Sequence, residues 1–359
     1  MIYENYAIFT PGPVKMSKEI LDVGAKQTPY FRNCEFSEVT YNCEKGLLSM
    51  LNAPQGSKVI FLTASGTAGM ESVVMNLLHV KDHALVVHGG GFGGRFVDIC
   101  AMHDVPHTDF KVSHTNLSDI ETLAPKEEYS AMIVNAHETS VGHLYDLDAM
   151  GAYAKKHKLL YIVDAISMLV TDPIDMSAQH IDVVIASSQK GLALPPGLTM
   201  VVLTPRALAK VQEVKSLYFN FKDYLRNGLR GQTPYTPAVT IMLQLEARLA
   251  QIEREGGVKA SIAKAKEIAT YFRNSIKSLP LEAYTPYMPN AMTTLTPTDG
   301  TSAMDIVHAL EEGYKVMVCP NGGAEKDLIF RVSHMGDMDK AYTDILIDAL
   351  YDYYNTERI

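Results

Sequence analysis

The chain has 359 residues, 47% of them apolar and 20% charged, enough for a large core and for two unequal domains of a soluble globular protein. Its 32 basic side chains against 41 acidic ones leave a net charge of −9, which sets aside nucleic acid and anionic membrane as main partners. No apolar run approaches the ~18 residues of a membrane span. The N-terminus shows no basic segment ahead of an apolar one, and Cys34, Cys43, Cys100 and Cys319 form no CxxC pair, so a cytoplasmic protein with reduced thiols is expected.

In chain order, Thr10-Pro11-Gly12-Pro13 is a rigid turn that fits neither a helix interior nor a central strand. Ser17 is a plausible N-cap for a short helix, and Tyr30-Phe31-Arg32-Asn33 reads as a loop before a longer helix over 37–51. Arg32 there is either a solvent-exposed loop side chain or an anion contact. A strand at 58–62 runs into Thr63-Ala64-Ser65-Gly66-Thr67, and Met70, Val73, Val74 and Leu77 then recur at helical spacing. A small-residue turn that opens a helix leaves backbone N–H groups pointing outward. Ser65, Gly66 and Thr67 therefore form either a phosphate cup or a plain strand-to-helix turn.

The next unit pairs a strand at 84–87 with Gly89-Gly90-Gly91-Phe92-Gly93-Gly94. Gly89, Gly91 and Gly94 spell GxGxxG, and Asp109 follows, which makes a nicotinamide-dependent oxidoreductase the formal rival reading. Against it, this is not the first strand–helix unit, and Asp109 sits after Pro106 and His107 rather than at the end of a clean apolar strand. Phe92 at this strand end either stacks on a flat ligand or packs in the core. A further strand at 131–135 leads into His137-Glu138-Thr139-Ser140, where a hydroxyl could hydrogen-bond a cofactor oxygen and Glu138 could contact a substrate. His103 and His107 stand four apart, but Pro106 between them argues against a helical metal pair, and no metal is expected.

The most informative stretch runs from Leu159 to Leu203. Apolar strands at 161–163 and 183–185 lead respectively to Asp164 and to Ser187-Ser188-Gln189-Lys190, followed by Gly191 and Pro195-Pro196-Gly197. Desolvation at such a strand end lowers a lysine's pKa and yields the free amine needed for a Schiff base, although most lysines at strand ends are simply exposed. An aspartate on a neighbouring strand end is the usual partner of a pyridinium nitrogen. Strands alternate with helices from 58 to 203, so a mostly parallel sheet covered on both faces is expected, with ligands beyond its carboxyl ends. Residues 216–237 read as an aromatic, basic, turn-forming segment, either exposed or at an interface. Two helices follow, then α+β structure with strands at 314–319 and 328–333 and a helix from about Lys340. Arg331 interrupts the last apolar strand; on this pattern it leans to the surface rather than into a site.

These residues carry a family resemblance. The motifs are TPGP at Thr10–Pro13, SGT at Ser65–Thr67, HETSVG at His137–Gly142, VDA at Val163–Ala165, SSQKGLALPPG at Ser187–Gly197, TPYTP at Thr233–Pro237 and FRVSHMG at Phe330–Gly336. They span nearly the whole chain, which resembles the class V aminotransferases of the fold-type I pyridoxal phosphate enzymes, in particular those using glyoxylate or pyruvate. The resemblance implies an α/β large domain with a mostly parallel sheet and a smaller α+β C-terminal domain, divided as 1–16 (arm), 17–250 and 251–359. It implies pyridoxal 5′-phosphate joined to Lys190, with Asp164 at the ring nitrogen, Phe92 on the ring and Thr139 by the ring hydroxyl. Ser65, Gly66, Thr67 and Gln189 would hold the phosphate. Arg331 would bind the substrate carboxylate, with Glu138 and Arg32 as further substrate contacts. Thr236, or less plausibly Thr233, would reach the phosphate of a neighbouring subunit, implying a homodimer with shared active sites. Gln189 rather than His before the lysine, and no persulfide loop at Cys319, favour transamination between a small amino donor and a small 2-oxo acid. A lyase or decarboxylase on the same fold is the alternative.

Overall fold

The computed structural model describes residues 5–112 and 117–358; the first four residues of the expected N-terminal arm lie outside it. Its centre is a seven-stranded sheet built from β1 (Lys58–Leu62), β2 (Ala84–His88), β3 (His107–Lys111), β4 (Ala131–Asn135), β5 (Leu160–Asp164), β6 (Val183–Ser187) and β7 (Thr199–Leu203). The spatial order is β1-β7-β6-β5-β4-β2-β3. Each central strand is a nearly unbroken apolar run because both faces are covered. Successive side chains alternate between them. Val163, Val184 and Met132 face a core shared with Cys43, Leu47, Met242 and Leu245 of two long helices. Ile133, Ile162 and Ile185 face Val73, Val74 and Phe96 on the other side.

The sheet is mostly parallel, as expected, with two features the sequence did not mark. β7 runs antiparallel to both β1 and β6, its Thr199 paired with Leu62 and Ser187. Residues 107–111, where no clean apolar strand was read around Asp109, form the parallel edge strand β3 against β2. An edge strand is covered less than a central one, so it needs no apolar run. With the remaining strands parallel, the carboxyl ends of β1, β2, β4, β5 and β6 lie along one rim. Ser65, Phe92, Glu138, Asp164 and Lys190 all follow from that rim.

The C-terminal part has a second, antiparallel sheet of β8 (Leu281–Ala283), β9 (Met292–Pro297), β10 (Cys319–Pro320) and β11 (Phe330–Ser333), in the order β8-β9-β11-β10. Helices Gly257–Ser275, Ala303–Tyr314 and Lys340–Tyr353 cover it around Phe272, Phe330, Leu346 and Ile347. The single strand expected over 314–319 is instead two. Tyr314 ends a helix and Lys315 turns left-handed (φ 58°). Val316–Met317 then pairs in parallel with Ala7–Ile8, while Cys319 joins β11. Helix Val239–Arg254 packs on the large sheet, whereas the next helix packs on the small one, with Gly256 and Gly257 at positive φ between them. We propose the domain division at these glycines, a few residues beyond 250/251. The N-terminal arm crosses it, since Phe9 lies in the small-domain core. Among the described residues no helix is long and apolar enough to cross a membrane.

Candidate active site

Lys190 sits in a tight loop after β6, pinned by Ala193 N–H donating to the Lys190 carbonyl (2.8 Å) and Ser188 Oγ donating to Pro195 O (2.6 Å). Burial pushes its amine down to about 8; nearby Arg331 lowers it further, while Cys319 and Asp164 act the other way. The Thr10–Pro13 turn lies directly against it. A Cβ on Gly12 (φ 148°) would stand 2.8–2.9 Å from Lys190 Cδ, Cε and Nζ, so the turn needs glycine both for its backbone and for the room it leaves.

Asp164, at the end of β5, is only 3% exposed. Its carboxylate accepts from Asn135 Nδ2 (2.7 Å), its cross-strand neighbour on β4, and from Ile166 N–H (2.9 Å). Burial nevertheless raises the group to about 6, because two hydrogen bonds do not replace full hydration. Asn135 ends an otherwise apolar strand, which was the one signal in the sequence that could have pointed to it.

At the start of helix Gly66–Leu77, Ser65 is exposed and its hydroxyl makes no capping bond. The amides of Gly66 and Thr67 are first-turn donors without intrahelical partners, as helix starts require. Thr67 Oγ1 accepts from Arg95 Nη1 (2.7 Å). The Gln189 side chain accepts from Ser187 Oγ through Oε1 (2.7 Å), and its amide N–H groups have no acceptor among the described residues. The hydroxyl of Thr139 donates to Ser167 Oγ (2.8 Å), and His137 shares its Nδ1 hydrogen with Ser167 O (3.1 Å). Burial drives His137 down to about 3, so its ring is neutral and Nε2 has no protein partner.

Arg331 corrects the surface reading. It is 9% exposed, donating from Nη1 to Thr139 O (3.1 Å) and from Nη2 to Pro320 O (2.6 Å), with Nε unpartnered. Thr294 and Cys319 flank it across the small sheet, on the face that meets the large domain. Two other expectations are redirected. Glu138 is fully buried and accepts from Gly93 N–H (2.8 Å), Phe92 N–H (3.3 Å), Ser140 N–H (3.1 Å) and Ser140 Oγ (2.6 Å). It therefore caps the helix that carries Phe92 instead of reaching outward to a substrate. Arg32 donates to Thr233 O (2.7 Å) and Pro234 O (3.1 Å) and lies over the Phe31 ring, so it fastens the 233–234 turn rather than offering a free anion contact.

The same Glu138 clamp removes the nucleotide reading. In the GxGxxG turn, the amides of Phe92 and Gly93 are already bound by that carboxylate, and Gly91 N–H by Ser140 Oγ (3.2 Å). A pyrophosphate would find none of these donors open, and Asp109 is engaged by His88 Nε2 (2.8 Å). Phe92 is partly buried with the Arg95 guanidinium 5.3 Å from its ring centre. Thr233 spends its hydroxyl on Tyr235 O (2.6 Å), whereas Thr236 is exposed. Gly12, Arg95, Asn135 and Ser167 belong to this constellation and were not singled out from the sequence.

A half-buried lysine amine, a buried carboxylate, an open helix start and an inward arginine form a set that a flat, phosphorylated aldehyde would fit. The residues present fit pyridoxal phosphate: Arg331 Nε, a donor, and His137 Nε2, an acceptor, are buried with no partner among the described residues. Residues 25–325 match the family described as "Aminotransferase class-V", and the chain belongs to it. It is 27% identical over 348 residues (93% of this chain, 87% of the relative) to an L-aspartate–glyoxylate aminotransferase of Paracoccus denitrificans. It is 27% identical over 272 residues (72% and 73%) to a 2-aminoethylphosphonate–pyruvate transaminase of Salmonella paratyphi C. In fold it matches an alanine–glyoxylate aminotransferase from Nostoc sp. with a TM-score of 0.91 at 21% identity, covering 97% of this chain and 95% of that one. The fold is thus that of the fold-type I aminotransferases, and the protein is a transaminase of the class that depends on pyridoxal phosphate.

Proposed function

We propose that this transaminase moves an amino group from a small donor (alanine, serine or 2-aminoethylphosphonate) to glyoxylate or pyruvate, with pyridoxal 5′-phosphate held at Lys190. The observation that carries the reading is the placement of Lys190 and Asp164 on the rim of the large sheet with Arg331 facing them from the small sheet, close enough for both to act on the lysine amine, which is brought to about 8. When bound, the cofactor supplies an aldehyde that takes up amines and a ring that accepts electrons from the substrate carbon.

Every other part is protein. Lys190 Nζ is the base that removes the donor's Cα proton and returns it. A pKa near 8 lets the neutral amine form at cellular pH while it still carries a proton easily. Asp164 would hold the proton on the ring nitrogen, its buried carboxylate being placed to accept from a pyridinium N–H. Asn135 keeps that carboxylate in place. Ser65, Gly66, Thr67 and Gln189 receive the phosphate, and Thr139, seated on Ser167, meets the ring hydroxyl. Arg331 grips the substrate carboxylate; its planar fork suits two parallel hydrogen bonds. Exposed Thr236 would complete the phosphate site of a second copy in a homodimer, with Arg32 holding its loop. The acceptors named for the Paracoccus and Salmonella relatives support glyoxylate or pyruvate.

The test is an absorbance spectrum of the purified protein before and after each donor, with Lys190→Ala beside it. A visible band that shifts to the near ultraviolet with one donor, and that Lys190→Ala lacks, supports the reading and selects the donor. A wild type that shows no band even with added pyridoxal phosphate overturns it.

A further inference from the structure

We propose that Arg95 is a further cofactor-positioning residue, which couples the phosphate seat to the aromatic that covers the ring. The inference rests on reading Ser65–Thr67 as the phosphate seat. Arg95 belongs to the helix that starts at Gly91, after β2, whereas Thr67 belongs to the helix that starts at Gly66, after β1. Its Nη1 reaches across to Thr67 Oγ1 (2.7 Å), and the same guanidinium lies over the Phe92 ring at 5.3 Å. One side chain thus touches both halves of the cofactor site.

The hydrogen bond has a direction, and the direction matters. A hydroxyl has one proton and two lone pairs. Because Arg95 donates to it, Thr67 Oγ1 is the acceptor in that contact, and its own proton is left to be given elsewhere. Within the seat, the group that wants it is a phosphate oxygen. A threonine without this partner could spend its proton on a nearby carbonyl instead, as serine and threonine near a helix start readily do. Arg95 also brings a fixed positive charge beside the helix start, where the backbone amides already favour an anion. On the other side, the cation–π contact restrains the Phe92 ring, whose backbone is held by Glu138. Glu138 therefore sets where the helix begins, and Arg95 sets where the ring and the hydroxyl point. No other hydrogen bond competes for the Arg95 guanidinium among the described residues.

The experiment compares two aldehydes, pyridoxal phosphate and pyridoxal, which differ only in the phosphate. Dissociation constants of both are measured from the visible band on titrating cofactor-free wild type, Arg95→Ala, Arg95→Lys, Thr67→Ala and the Arg95→Ala/Thr67→Ala double variant. Arg95→Ala is expected to weaken pyridoxal phosphate on the order of 10–100-fold, the worth of a hydrogen bond to a charged group, with pyridoxal changed by no more than about twofold. Arg95→Lys keeps the charge but not the planar fork, and should fall between. In the Thr67→Ala background the loss of Arg95 should cost much less, since the two act as one unit. Equal weakening of both aldehydes would make Arg95 a merely structural residue and overturn the inference, as would an unchanged constant for pyridoxal phosphate. If Arg95→Ala does not fold, Arg95→Lys and Thr67→Ala decide by the same comparison. A wild type that binds neither aldehyde sinks the reading of the site as well, whereas the first two results sink only the role of Arg95.

Discussion

Lys190 and Asp164 are both shifted by burial, in opposite senses of charge. Burial costs each of them its charged form, so the lysine is more readily present as the free amine and the aspartate becomes a weaker acid. Each shift predicts a pH dependence of known sign. For Asp164 the folded value of about 6 lies above the ordinary 3.8. The carboxyl therefore stabilises the fold only when protonated, a contribution present below pH ~4 and lost as pH rises through about 6. Two units correspond to at most about 3 kcal/mol. In the cofactor-free protein, Asp164→Asn should be increasingly more stable than wild type between pH 4 and 7, as thermal melts would record. A gap that stays constant with pH would contradict this account. For Lys190 the amine at about 8 predicts that cofactor uptake accelerates through that pH. An ordinary lysine would accelerate only near ~10.4. Stopped-flow mixing with pyridoxal phosphate from pH 6 to 10 distinguishes the two.

At the scale of the elements, the helix Gly91–Met102 is set by a residue from another segment. Its first-turn amides cannot bond within the helix, and Glu138, brought beside them by the strand end of β4, accepts from two of them. Removing the acceptor leaves buried N–H groups without partners. Glu138→Ala should destabilise the protein by about 1–3 kcal/mol and loosen Phe92, whereas Glu138→Gln, which still accepts, should lose less. Denaturant unfolding of both variants is the check, with the circular dichroism of the bound cofactor as a probe of the ring. Glu138→Ala with wild-type stability would refute the clamp. The glycine pattern at Gly89–Gly94 matched a nucleotide fingerprint because local spacing says nothing of what fills the turn. The bound carboxylate does.

For the whole molecule, the proposed active site lies where two sheets meet. The large domain supplies Lys190, Asp164 and the helix start, and the small domain supplies Arg331 on β11. Arg331 reaches the carbonyl of Thr139, 192 positions away in sequence, so the proposed carboxylate grip is built across the junction between the two sheets. Arg331→Lys loses the fork but keeps the charge. It should raise KM for carboxylate-bearing substrates about 10–100-fold, with a smaller effect on kcat. Steady-state kinetics with each substrate varied in turn would show this, and an unchanged KM would remove Arg331 from the substrate site. The N-terminal arm links the same domains. Ala7–Ile8 pairs with Val316–Met317, and Gly12 lies on Lys190.

Much of this was legible in the chain because it is local. Alternating strands and helices announce a mostly parallel sheet, and small residues after β1 announce an open helix start. Asp164 and Lys190 stand immediately after apolar runs, where such a sheet places ligands. These features depend on periodicity and turn chemistry over a few residues, so the sequence determined them by itself. Other features depend on which distant segments meet, and only the tertiary structure decided them. The antiparallel direction of β7, the inward turn of Arg331, the capture of Glu138 by a helix start and the reach of Arg95 to Thr67 are of this kind. In each, a polar group is buried, and its orientation is set by the partner that satisfies it. That partner comes from another segment of the chain.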